Sequence, residues 1–261
     1  MPFQQRDFLR TYSFDALDES GLVHAVFTRR GGFSPAPWDS LNLGGTVGDD
    51  PTRVKANRML SFQAMRRDPN TLYDVWLVHS AEVVFADSPR DLDSLPTKAD
   101  AILTDRPEVT LFMRFADCTP IILHDPVRRV AGVVHAGWLG TVRGVARAAV
   151  KAMVARYGCK PQDIRAAIGP SIAAHHYPVG DEVVQQVQEA FGMDAASLLP
   201  SSNGAVQFDL WAANQLILEQ SGVRQVEVAG LCTACHLEDW YSHRGEKGKT
   251  GRFGVLVALK D

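Results

Sequence analysis

The sequence predicts an α+β fold in which mixed β-sheets are covered by helices. Segments with strand and helix patterns are interspersed along the 261 residues, and several strands follow one another through turns short enough for hairpins. An all-parallel, doubly wound sheet would need a long crossover between successive strands. The composition, 46% hydrophobic and 22% charged, is that of a globular protein with a sizeable core. We expect residues 1–261 to form one domain.

The first part of the chain predicts three strands and one helix. Residues 22–27, LVHAVF, have the apolar pattern of a strand and precede a glycine turn. Asp49 or Asp50 is expected to cap the helix that follows, because Asp is a preferred N-cap and Pro51 suits the first helical position. The other two strands are predicted at residues 73–79, where the strand ends at His79, and at residues 99–104.

The segment from 109 to 158 is the most regular part of the sequence. Three strands are predicted here, at residues 109–115, 120–124 and 129–135, separated by the bend ADCT and the turn DPVR. Apolar residues then recur at the spacing of one helix face between positions 142 and 154. Thr141 is a candidate cap for this helix, and Gly158 is a candidate stop.

The remainder of the chain continues the mixed pattern of strands and helices. Three strands are predicted, at residues 164–169, 224–230 and 253–259. Two helices are predicted, at residues 180–191 and 209–220, and Gly222 is expected to end the second.

Charge and hydropathy exclude several classes of protein. The formal net charge is -3 and the sequence pI is near 6.2, so the chain lacks the basic surface of a nucleic-acid-binding protein. No stretch approaches the roughly 20 apolar residues of a membrane helix. The first residues, MPFQQRDFLR, have no apolar core of a signal peptide. We therefore expect a cytoplasmic protein whose thiols stay reduced.

The four cysteines are then free thiols or metal ligands: Cys118, Cys159, Cys232 and Cys235. Residues 232–236 match the C-x-x-C-H spacing of haem attachment, but that attachment needs an exported protein. The pair could be half of a zinc site, yet the sequence holds no second CxxC. We favour the interpretation that Cys232 ends the preceding strand and packs there. Both residues are expected to be reduced and to bind neither haem nor the catalytic metal.

Cys118 and His135 are predicted to face each other across a hairpin. If residues 125–128 form the turn, His124 pairs with Arg129 and Cys118 pairs with His135. Directly opposed antiparallel residues have Cβ atoms about 4.5–5.5 Å apart, which suits a thiolate and an imidazole that share one zinc ion. A register shift of one residue would place the two side chains on opposite faces.

His79 is a third candidate ligand because it ends a predicted strand, where side chains can project into a cleft. One cysteine and two histidines leave a zinc position open for water, as in catalytic zinc sites. Each residue alone also has a structural interpretation, since a histidine can cap a sheet and a buried cysteine can fill a core. The glycine corner at residues 137–141 is either an anion site or simply a tight turn.

The chain resembles the YfiH-type proteins, also called the laccase-domain or polyphenol-oxidase-like family, from about residue 24 onward. The motifs that carry the resemblance are TRRGGFS, DSLNLGGTVGDDP followed by Asn57-Arg58, ADAILTDRP, ADCTPIILHDP, VVHAGWLGT, AAIGPSI, YPVGDEV, FDLWAAN and YSHRG with TGR. They occur in the family order over nearly the whole chain. The resemblance implies the family fold, in which mixed β-sheets are layered between helices in an α/β/β/α-like arrangement.

The resemblance also implies a zinc enzyme of purine nucleoside metabolism. The family's ligands are the histidine of a QVHG-like motif, the cysteine of ADC and the histidine of HAGW, which correspond to His79, Cys118 and His135. The implied reactions are phosphorolysis of adenosine, inosine or methylthioadenosine, with phosphate as co-substrate, and hydrolytic deamination of adenosine. The expected metal is Zn²⁺, with copper possible. The expected partner is a small nucleoside, with no nucleic acid and no membrane.

Four further residues are candidates for contacts in these reactions. Arg29 and Arg244 could bind the negative charge of phosphate, as could the glycine corner, and Asn42 could hydrogen-bond the substrate. Asp117 is a candidate acid or base because it adjoins Cys118, although it could equally orient the turn or a ligand.

The chain departs from the family pattern in three motifs, and taken together the changes leave fewer charges that could bind phosphate or substrate. Leu77 and Ser80 replace the Gln and Gly of QVHG, and Leu139 replaces the Arg of HAGWRGT. Tyr241-Ser242-His243-Arg244-Gly245 stands where the family has YSYRRD. If the missing arginine contacts phosphate, Leu139 predicts weaker phosphorolysis while deamination is spared.

Three alternative functions remain open at the level of sequence. A copper-dependent polyphenol oxidase is one, although one cysteine and two histidines cannot build several copper sites. A metal-free hydrolase that uses Cys118 and His135, acting in peptidoglycan editing, is another, because a thiolate beside a histidine is a nucleophile. The third is a binding protein that keeps the fold with a catalytically eroded site.

Overall fold

Two six-stranded β-sheets form the centre of the structure, a computed structural model that describes residues 2–18, 21–202 and 204–260. The strands are β1 (Phe3–Arg6), β2 (Leu9–Tyr12), β3 (Leu22–Phe27), β4 (Leu72–Tyr73), β5 (Val83–Phe85), β6 (Ala101–Thr104), β7 (Thr110–Phe115), β8 (Thr119–Asp125), β9 (Val130–Ala136), β10 (Arg165–Ile168), β11 (Ser201–Ser202), β12 (Ala205–Val206), β13 (Gln225–Val228) and β14 (Phe253–Leu259). The helices are α1 (Asp15–Asp18), α2 (Pro51–Ala64), α3 (Trp138–Val142), α4 (Val145–Tyr157), α5 (Asp181–Phe191), α6 (Ala195–Leu198) and α7 (Leu210–Gln220). Within the described ranges, no helix is long and apolar enough to cross a membrane.

Both large sheets are mixed. The first has the strand order β1-β2-β3-β14-β7-β4, and the second has the order β13-β10-β8-β9-β6-β5. Most neighbours run antiparallel, but the pairs β4–β7, β5–β6 and β10–β13 run parallel. The prediction of mixed sheets from hairpin-linked strands is therefore confirmed.

The two sheets pack face to face, with α2 against the outer face of the first sheet and α4 and α7 against that of the second. Along β14, Val255 and Val257 point into the core between the sheets, whereas Leu256 points outward and packs with Phe62 of α2. On β8, Ile122 lies in the core between the sheets, and its neighbours on either side pack against α4 and α7. These four layers confirm the predicted α+β fold with an α/β/β/α-like arrangement.

Local sequence signals placed several elements correctly. Strands β3 and β14 have the predicted bounds. Helix α2 begins at Pro51 after Asp50, whose carboxylate accepts the backbone N–H of Thr52 at 2.7 Å. The predicted helix begins at Val145, later than expected, because its N-cap is Gly144, which has a left-handed φ of 74°. The prediction of Thr141 as the cap is wrong, since Thr141 lies inside the short helix α3. Gly158 ends α4 in a left-handed conformation, as predicted.

The hairpin of β8 and β9 has a register two residues away from the predicted one. Asp125 pairs with Val130, so the turn lies one residue later, and the Asp125 carboxylate accepts two of its backbone N–H groups. His135 therefore pairs with Pro120 and not with Cys118. Because the shift is an even number of residues, Cys118 still lies on the same face of the hairpin as His135.

Two predicted strands end earlier than their sequence patterns indicate. The strand expected to end at His79 ends at Tyr73, and His79 lies in a loop with a left-handed φ of 57°. The strand expected to reach residue 230 ends at Val228. Cys232 therefore lies beyond the strand, where it forms an isolated β-bridge with Ser171.

The chain crosses from one sheet to the other between β7 and β8. These strands are consecutive in sequence, but β7 belongs to the first sheet and β8 to the second. The connection is the bend at residues 116–118, in which Asp117 has a left-handed φ of 83°. This crossover places Cys118 beside the end of β9, where the candidate site forms.

Candidate metal centre and substrate cavity

His135 is the most deeply placed member of the predicted metal triad. It lies near the end of β9 and is buried, with 4% of its surface exposed. Its Nδ1 atom lies 2.9 Å from Oδ1 of Asp100, a fully buried carboxylate. An ionised carboxylate only accepts hydrogen bonds, so Nδ1 carries a proton, and Nε2 is the atom that can bind a metal once it has lost its own proton.

Asp100 also holds the loop that carries His79. Its carboxylate accepts the backbone N–H groups of Val78, His79 and Ser80 at 3.2, 3.0 and 2.6 Å. The Ser80 hydroxyl donates a further hydrogen bond at 2.8 Å. From the other side, Arg143 donates to the His79 carbonyl at 3.0 Å. One carboxylate thus fixes the positions of two of the three candidate ligands.

The donor atoms of His79, Cys118 and His135 lie within 4.8 Å of one another. Cys118 Sγ is 3.9 Å from His79 Nε2. One thiolate and two imidazoles are donors that zinc and copper both accept, and three protein ligands leave one tetrahedral position open. The structure therefore brings the predicted triad together with a donor set that fits zinc.

The charges in this cluster stabilise one another. Burial alone raises the pKa of the Cys118 thiol, but His135 and His79 outweigh it and lower that pKa to about 6. Burial alone lowers the pKa of His135, but Cys118 and Asp100 outweigh it and raise that pKa to about 9. For Asp100, hydrogen bonds from His135 and Ser80 overcome burial and hold the pKa at about 2. Cys118 is therefore a thiolate at neutral pH, the form that binds a metal or attacks an electrophile.

A cavity of about 600 Å³ opens beside the triad. The triad forms part of its wall, and five arginines form much of the remainder: Arg58, Arg90, Arg114, Arg244 and Arg252. Two carboxylates, of Asp74 and Asp117, also line it. Because the cations outnumber the carboxylates, the cavity suits an anionic or partly anionic ligand.

The arginines are held in defined positions by the surrounding chain. Asp74 accepts hydrogen bonds from Arg90 at 2.8 Å and Arg114 at 2.6 Å. Arg58 donates to the Leu43 carbonyl at 3.0 Å. Burial lowers the pKa of Arg58 to about 10, so its guanidinium remains charged at neutral pH. The positive potential of the cavity therefore persists through the physiological range.

Two aromatic side chains also line the cavity. Trp76 is 49% exposed, so its ring is available to a planar ligand. Tyr177 carries the guanidinium of Arg244 over its ring, at 5.0 Å from the centroid. Burial, together with the charge of Cys118, raises the pKa of Tyr177, so its phenol stays a neutral hydrogen-bond donor.

Of the three predicted substrate-binding residues, the structure places only Arg244 on the cavity wall. Arg29 is buried and donates to the backbone carbonyls of Asp39 and Leu237 and to the Glu246 carboxylate at 2.7–3.0 Å, so its guanidinium is committed to the framework. Asn42 is fully buried and shapes the loop that lines the cavity, through hydrogen bonds to the backbone N–H and C=O of Gly44. Both residues act behind the cavity wall.

The glycine corner does not line the cavity. Among the described residues, those that form its wall include no member of the 137–142 segment. Gly137 instead packs beside the triad, and an added Cβ would lie 2.8 Å from Cys118 Sγ. The expectation that Leu139 adjoins a phosphate site at this corner is therefore not supported, and the arginines provide the positive charge instead.

Asp117 has a positioning role in the structure. Its buried carboxylate accepts the hydroxyls of Thr233 and Ser242, each at 2.7 Å, and the backbone N–H of Arg244 at 2.6 Å. These three donors occupy both oxygens, which favours the orienting role over the acid–base role. The carboxylate fixes the loop that carries Arg244 on the cavity wall.

Sequence reasoning missed several residues of the site, although they lie in the motifs already noted. Asp100 stands in ADAILTDRP, Arg58 follows Asn57, Tyr177 begins YPVGDEV and Arg252 ends TGR. Their position in these motifs was the only indication in the sequence that they could belong to the site. Their roles follow from contacts between segments that are distant in sequence.

The chain is similar in sequence to proteins named as purine nucleoside phosphorylases. Purine nucleoside phosphorylase YlmD of Bacillus subtilis is 34% identical over 248 residues, which cover 92% of this chain and 89% of that protein. Purine nucleoside phosphorylase ORF3 of Streptomyces griseus is 37% identical over 243 residues, which cover 92% and 96%.

Solved structures and a family model agree with these relatives. The crystal structure of the hypothetical protein YfiH from Bacillus licheniformis superposes with a TM-score of 0.91 at 31% identity and covers 99% of both chains. That of YlmD from Geobacillus stearothermophilus has a TM-score of 0.91 at 30% identity and covers 100% of this chain and 99% of that chain. The family model described as multi-copper polyphenol oxidoreductase laccase matches residues 23–260. The chain therefore belongs to the laccase-domain family that includes YfiH and YlmD.

Proposed function

We propose that the chain is a zinc-dependent purine nucleoside phosphorylase whose active site is the arginine-lined cavity. One observation carries the proposal: the triad of His79, Cys118 and His135 lines the same cavity as five arginines and two aromatic side chains. Phosphorolysis needs a phosphate and a nucleoside side by side, and this cavity offers donors suited to both. The names of the relatives support the same reaction.

The phosphate half of the proposed site lies among the arginines. Guanidinium groups present several N–H donors in a planar fork that matches phosphate oxygens. Arg58 and Arg252 are the best placed, because Asp74 already accepts hydrogen bonds from Arg90 and Arg114. Phosphate as co-substrate is therefore assigned to this wall.

The nucleoside half of the proposed site lies between Trp76 and Tyr177. The exposed face of Trp76 can stack on a purine, and the Tyr177 phenol can donate a hydrogen bond to a ring nitrogen or to ribose. Arg244, stacked on Tyr177, closes the same side of the cavity. Adenosine, inosine and methylthioadenosine share the purine and ribose that these groups would contact.

In phosphorolysis, a phosphate oxygen forms a bond to the anomeric carbon of ribose while the bond from that carbon to the purine nitrogen breaks. The electron pair stays on the purine, which then takes up a proton. Arg58 and Arg252 would orient the phosphate, and Tyr177 would donate a hydrogen bond to the leaving base. A zinc ion held by His79, Cys118 and His135 would supply Lewis-acid polarisation of a substrate oxygen or a bound water.

The chain's own groups prepare the metal ligands. Asp100 fixes the tautomer of His135 and the loop of His79, and the two histidines keep Cys118 ionised. Copper can occupy the same donor set, since its affinity for such ligands exceeds that of zinc. Hydrolytic deamination of adenosine is a second candidate, because the triad leaves a position open for water. It differs from phosphorolysis in needing no phosphate.

The setting of the site supports two further parts of the proposal. The cavity draws residues from both sheets, including Arg114 of β7 and His135 of β9, which supports one domain over residues 1–261. Cys118 must be reduced to bind a metal, which supports a reducing compartment such as the cytoplasm.

The test is a panel of purine nucleosides assayed with and without phosphate, on protein whose metal content has been measured. Phosphorolysis predicts phosphate-dependent release of free base and ribose 1-phosphate, whereas deamination predicts phosphate-independent release of ammonia from adenosine. Oxygen uptake with phenols would indicate the copper oxidase instead. Activity of metal-free protein that alkylation of Cys118 abolishes would indicate the Cys–His hydrolase. Nucleoside binding without turnover under every condition would indicate the eroded binding protein and overturn the proposal.

A further inference from the structure

The CxxC pair of the sequence meets two adjacent histidines in the structure. His175 and His176 lie in a short 3₁₀ turn, Ala174–His176, and Cys232 and Cys235 lie in the loop after β13. One donor atom from each of the four residues lies within 4.8 Å of the other three. None of the four lines the cavity of the proposed active site.

We propose that His175, His176, Cys232 and Cys235 form a second metal site, a structural zinc site of the Cys₂His₂ type. The proposal is independent of the proposed function, because it concerns different residues and needs no catalysis. The CxxC motif supplies two of the four ligands, and the other two are histidines rather than the cysteines of a second CxxC motif. The site is distinct from the triad, so the expectation that Cys232 and Cys235 do not bind the catalytic metal stays a prediction.

The distances between the donor atoms support a tetrahedral ion. Zinc bonds of about 2.3 Å to sulfur and 2.0–2.1 Å to nitrogen place neighbouring ligand atoms about 3.4–3.8 Å apart in a tetrahedron. Cys235 Sγ lies 3.1 Å from His175 Nε2 and 3.5 Å from His176 Nδ1. Cys232 Sγ lies 3.6 Å from His176 Nδ1. Small side-chain adjustments suffice to surround one ion.

The backbone around the four residues is fixed independently of any ion. Ser171 pairs with the strand-like segment of Cys232, donating to the Leu231 carbonyl at 3.2 Å and accepting from Thr233 at 3.1 Å. The backbone N–H of Ala173 donates to Cys232 Sγ at 3.4 Å. Such an N–H stabilises a thiolate, the form of cysteine that binds zinc. The two arms are therefore held at the right separation before metal binds.

Exposure makes the site accessible to metal. Cys235 and both histidines are exposed, whereas Cys232 is buried. All four cysteines of the described structure are free thiols, including this pair. A disulfide between Cys232 and Cys235 is the competing fate of these thiols, but it would leave unexplained why two imidazoles converge on the same sulfurs.

The position of the site indicates a structural role. Tyr177, which lines the cavity, follows His176 directly in the chain. Thr233, between the two cysteines, donates to Asp117, the carboxylate that orients the loop of Arg244. An ion bound here would tie together two segments that support one wall of the cavity.

The experiment is a Co²⁺ titration of chelator-stripped, reduced Cys118→Ala protein, in which the triad has no thiolate. We expect thiolate-to-cobalt absorption that saturates at one equivalent and is displaced by Zn²⁺. Replacing Cys232 and Cys235 by serine should abolish the band, and His175→Asn with His176→Asn should weaken cobalt affinity at least tenfold. His236→Asn is the matched control, since His236 is exposed and adjoins Cys235 but pairs with Glu238.

Three results would overturn the proposal. The first is the absence of the cobalt band, and the second is its persistence in the protein without Cys232 and Cys235. The third is the formation of a disulfide between these cysteines when initially reduced protein is incubated with zinc, detected by mass spectrometry. If the serine variant does not fold, alkylation of Cys232 and Cys235 in the Cys118→Ala protein decides the question. Zinc should slow that alkylation at least tenfold, and unchanged alkylation would refute the site.

Discussion

A methyl group added at Gly137 should displace the Cys118 thiolate and weaken zinc binding by the triad. Gly137 precedes α3 with φ -72° and ψ 176°, a conformation that any residue adopts, so alanine introduces no backbone strain. Its Cβ, however, would lie 2.8 Å from Cys118 Sγ and 3.0 Å from His79 Cδ2. The three atoms nearest to the added Cβ thus all belong to Cys118 and His79, two of the three candidate ligands.

The expected loss follows from how far the sulfur must move. Non-bonded heavy atoms prefer a separation of about 3.5–4.0 Å, so Cys118 Sγ must shift by roughly 0.7 Å or more. Metal–ligand distances tolerate a deviation of only about 0.2 Å. We expect zinc affinity to fall on the order of 10–100-fold, the loss typical of disturbed support around metal ligands, which equals about 1.4–2.8 kcal/mol.

Gly180→Ala is the matched control. Gly180 precedes α5 with φ -86° and ψ 173°, and nothing lies within 4 Å of its added Cβ. Both variants replace a glycine cap by alanine, so any change in capping preference cancels in the comparison. The rate at which iodoacetamide alkylates Cys118, followed by mass spectrometry at increasing zinc concentration, reports this site alone. Equal zinc protection in the two folded variants would refute the placement of Cys118 against Gly137.

Three further predictions follow from single side chains. Asp100→Asn removes the carboxylate that orients two ligands and should weaken zinc protection of the triad about 10–100-fold, whereas exposed Asp93→Asn should not change it. His24 is buried, which lowers its pKa to about 4, and its Nε2 accepts the N–H of Phe14. The unfolded chain takes up a proton near pH 6.5 and the folded chain only near pH 4, so stability falls with falling pH. In urea unfolding, the free energy of unfolding of the wild type should fall by about 2 kcal/mol more between pH 7 and 5 than that of His24→Gln. The same pH dependence in both proteins would contradict this. Leu139→Arg should leave the phosphate KM of phosphorolysis unchanged, because residue 139 does not line the cavity. A lower KM would indicate that the phosphate binds at the glycine corner.

The sequence could predict that Cys118 and His135 lie on the same face, because strand periodicity decides which face a side chain occupies. The observed register differs from the predicted one by two residues, so the partner across the hairpin changed from Cys118 to Pro120. An even shift leaves every side chain on its original face, and the ligands still meet. The prediction depended on the parity of the register and not on its exact value.

The conformation around His79 could not be predicted in the same way. Its loop is shaped by hydrogen bonds to Asp100, which lies 21 residues further along the chain. The histidines that meet the CxxC pair likewise lie 56–60 residues before it. Hydrophobic periodicity reports which face is buried within one element, so it contains no information about such contacts between loops.

Two buried carboxylates explain how loops form a defined site on this scaffold. Asp100 accepts donors from the His79 loop and from His135, and Asp117 accepts donors from Thr233, Ser242 and the Arg244 loop. A buried carboxylate that loses its partners costs several kcal/mol. Each loop is therefore held in place by the penalty for leaving that charge unpaired.

This arrangement also decides how the departure at Ser80 should be interpreted. The family pattern has glycine at this position, and the change could indicate an eroded site. In the structure, however, the Ser80 hydroxyl donates to Asp100 at 2.8 Å and accepts the N–H of Glu82 at 3.1 Å. The substitution adds a hydrogen bond to the carboxylate that orients His79 and His135, so it reinforces the support of the ligands. The added contact at Ser80 is therefore consistent with the proposed metal centre and gives no support to the alternative of an eroded site.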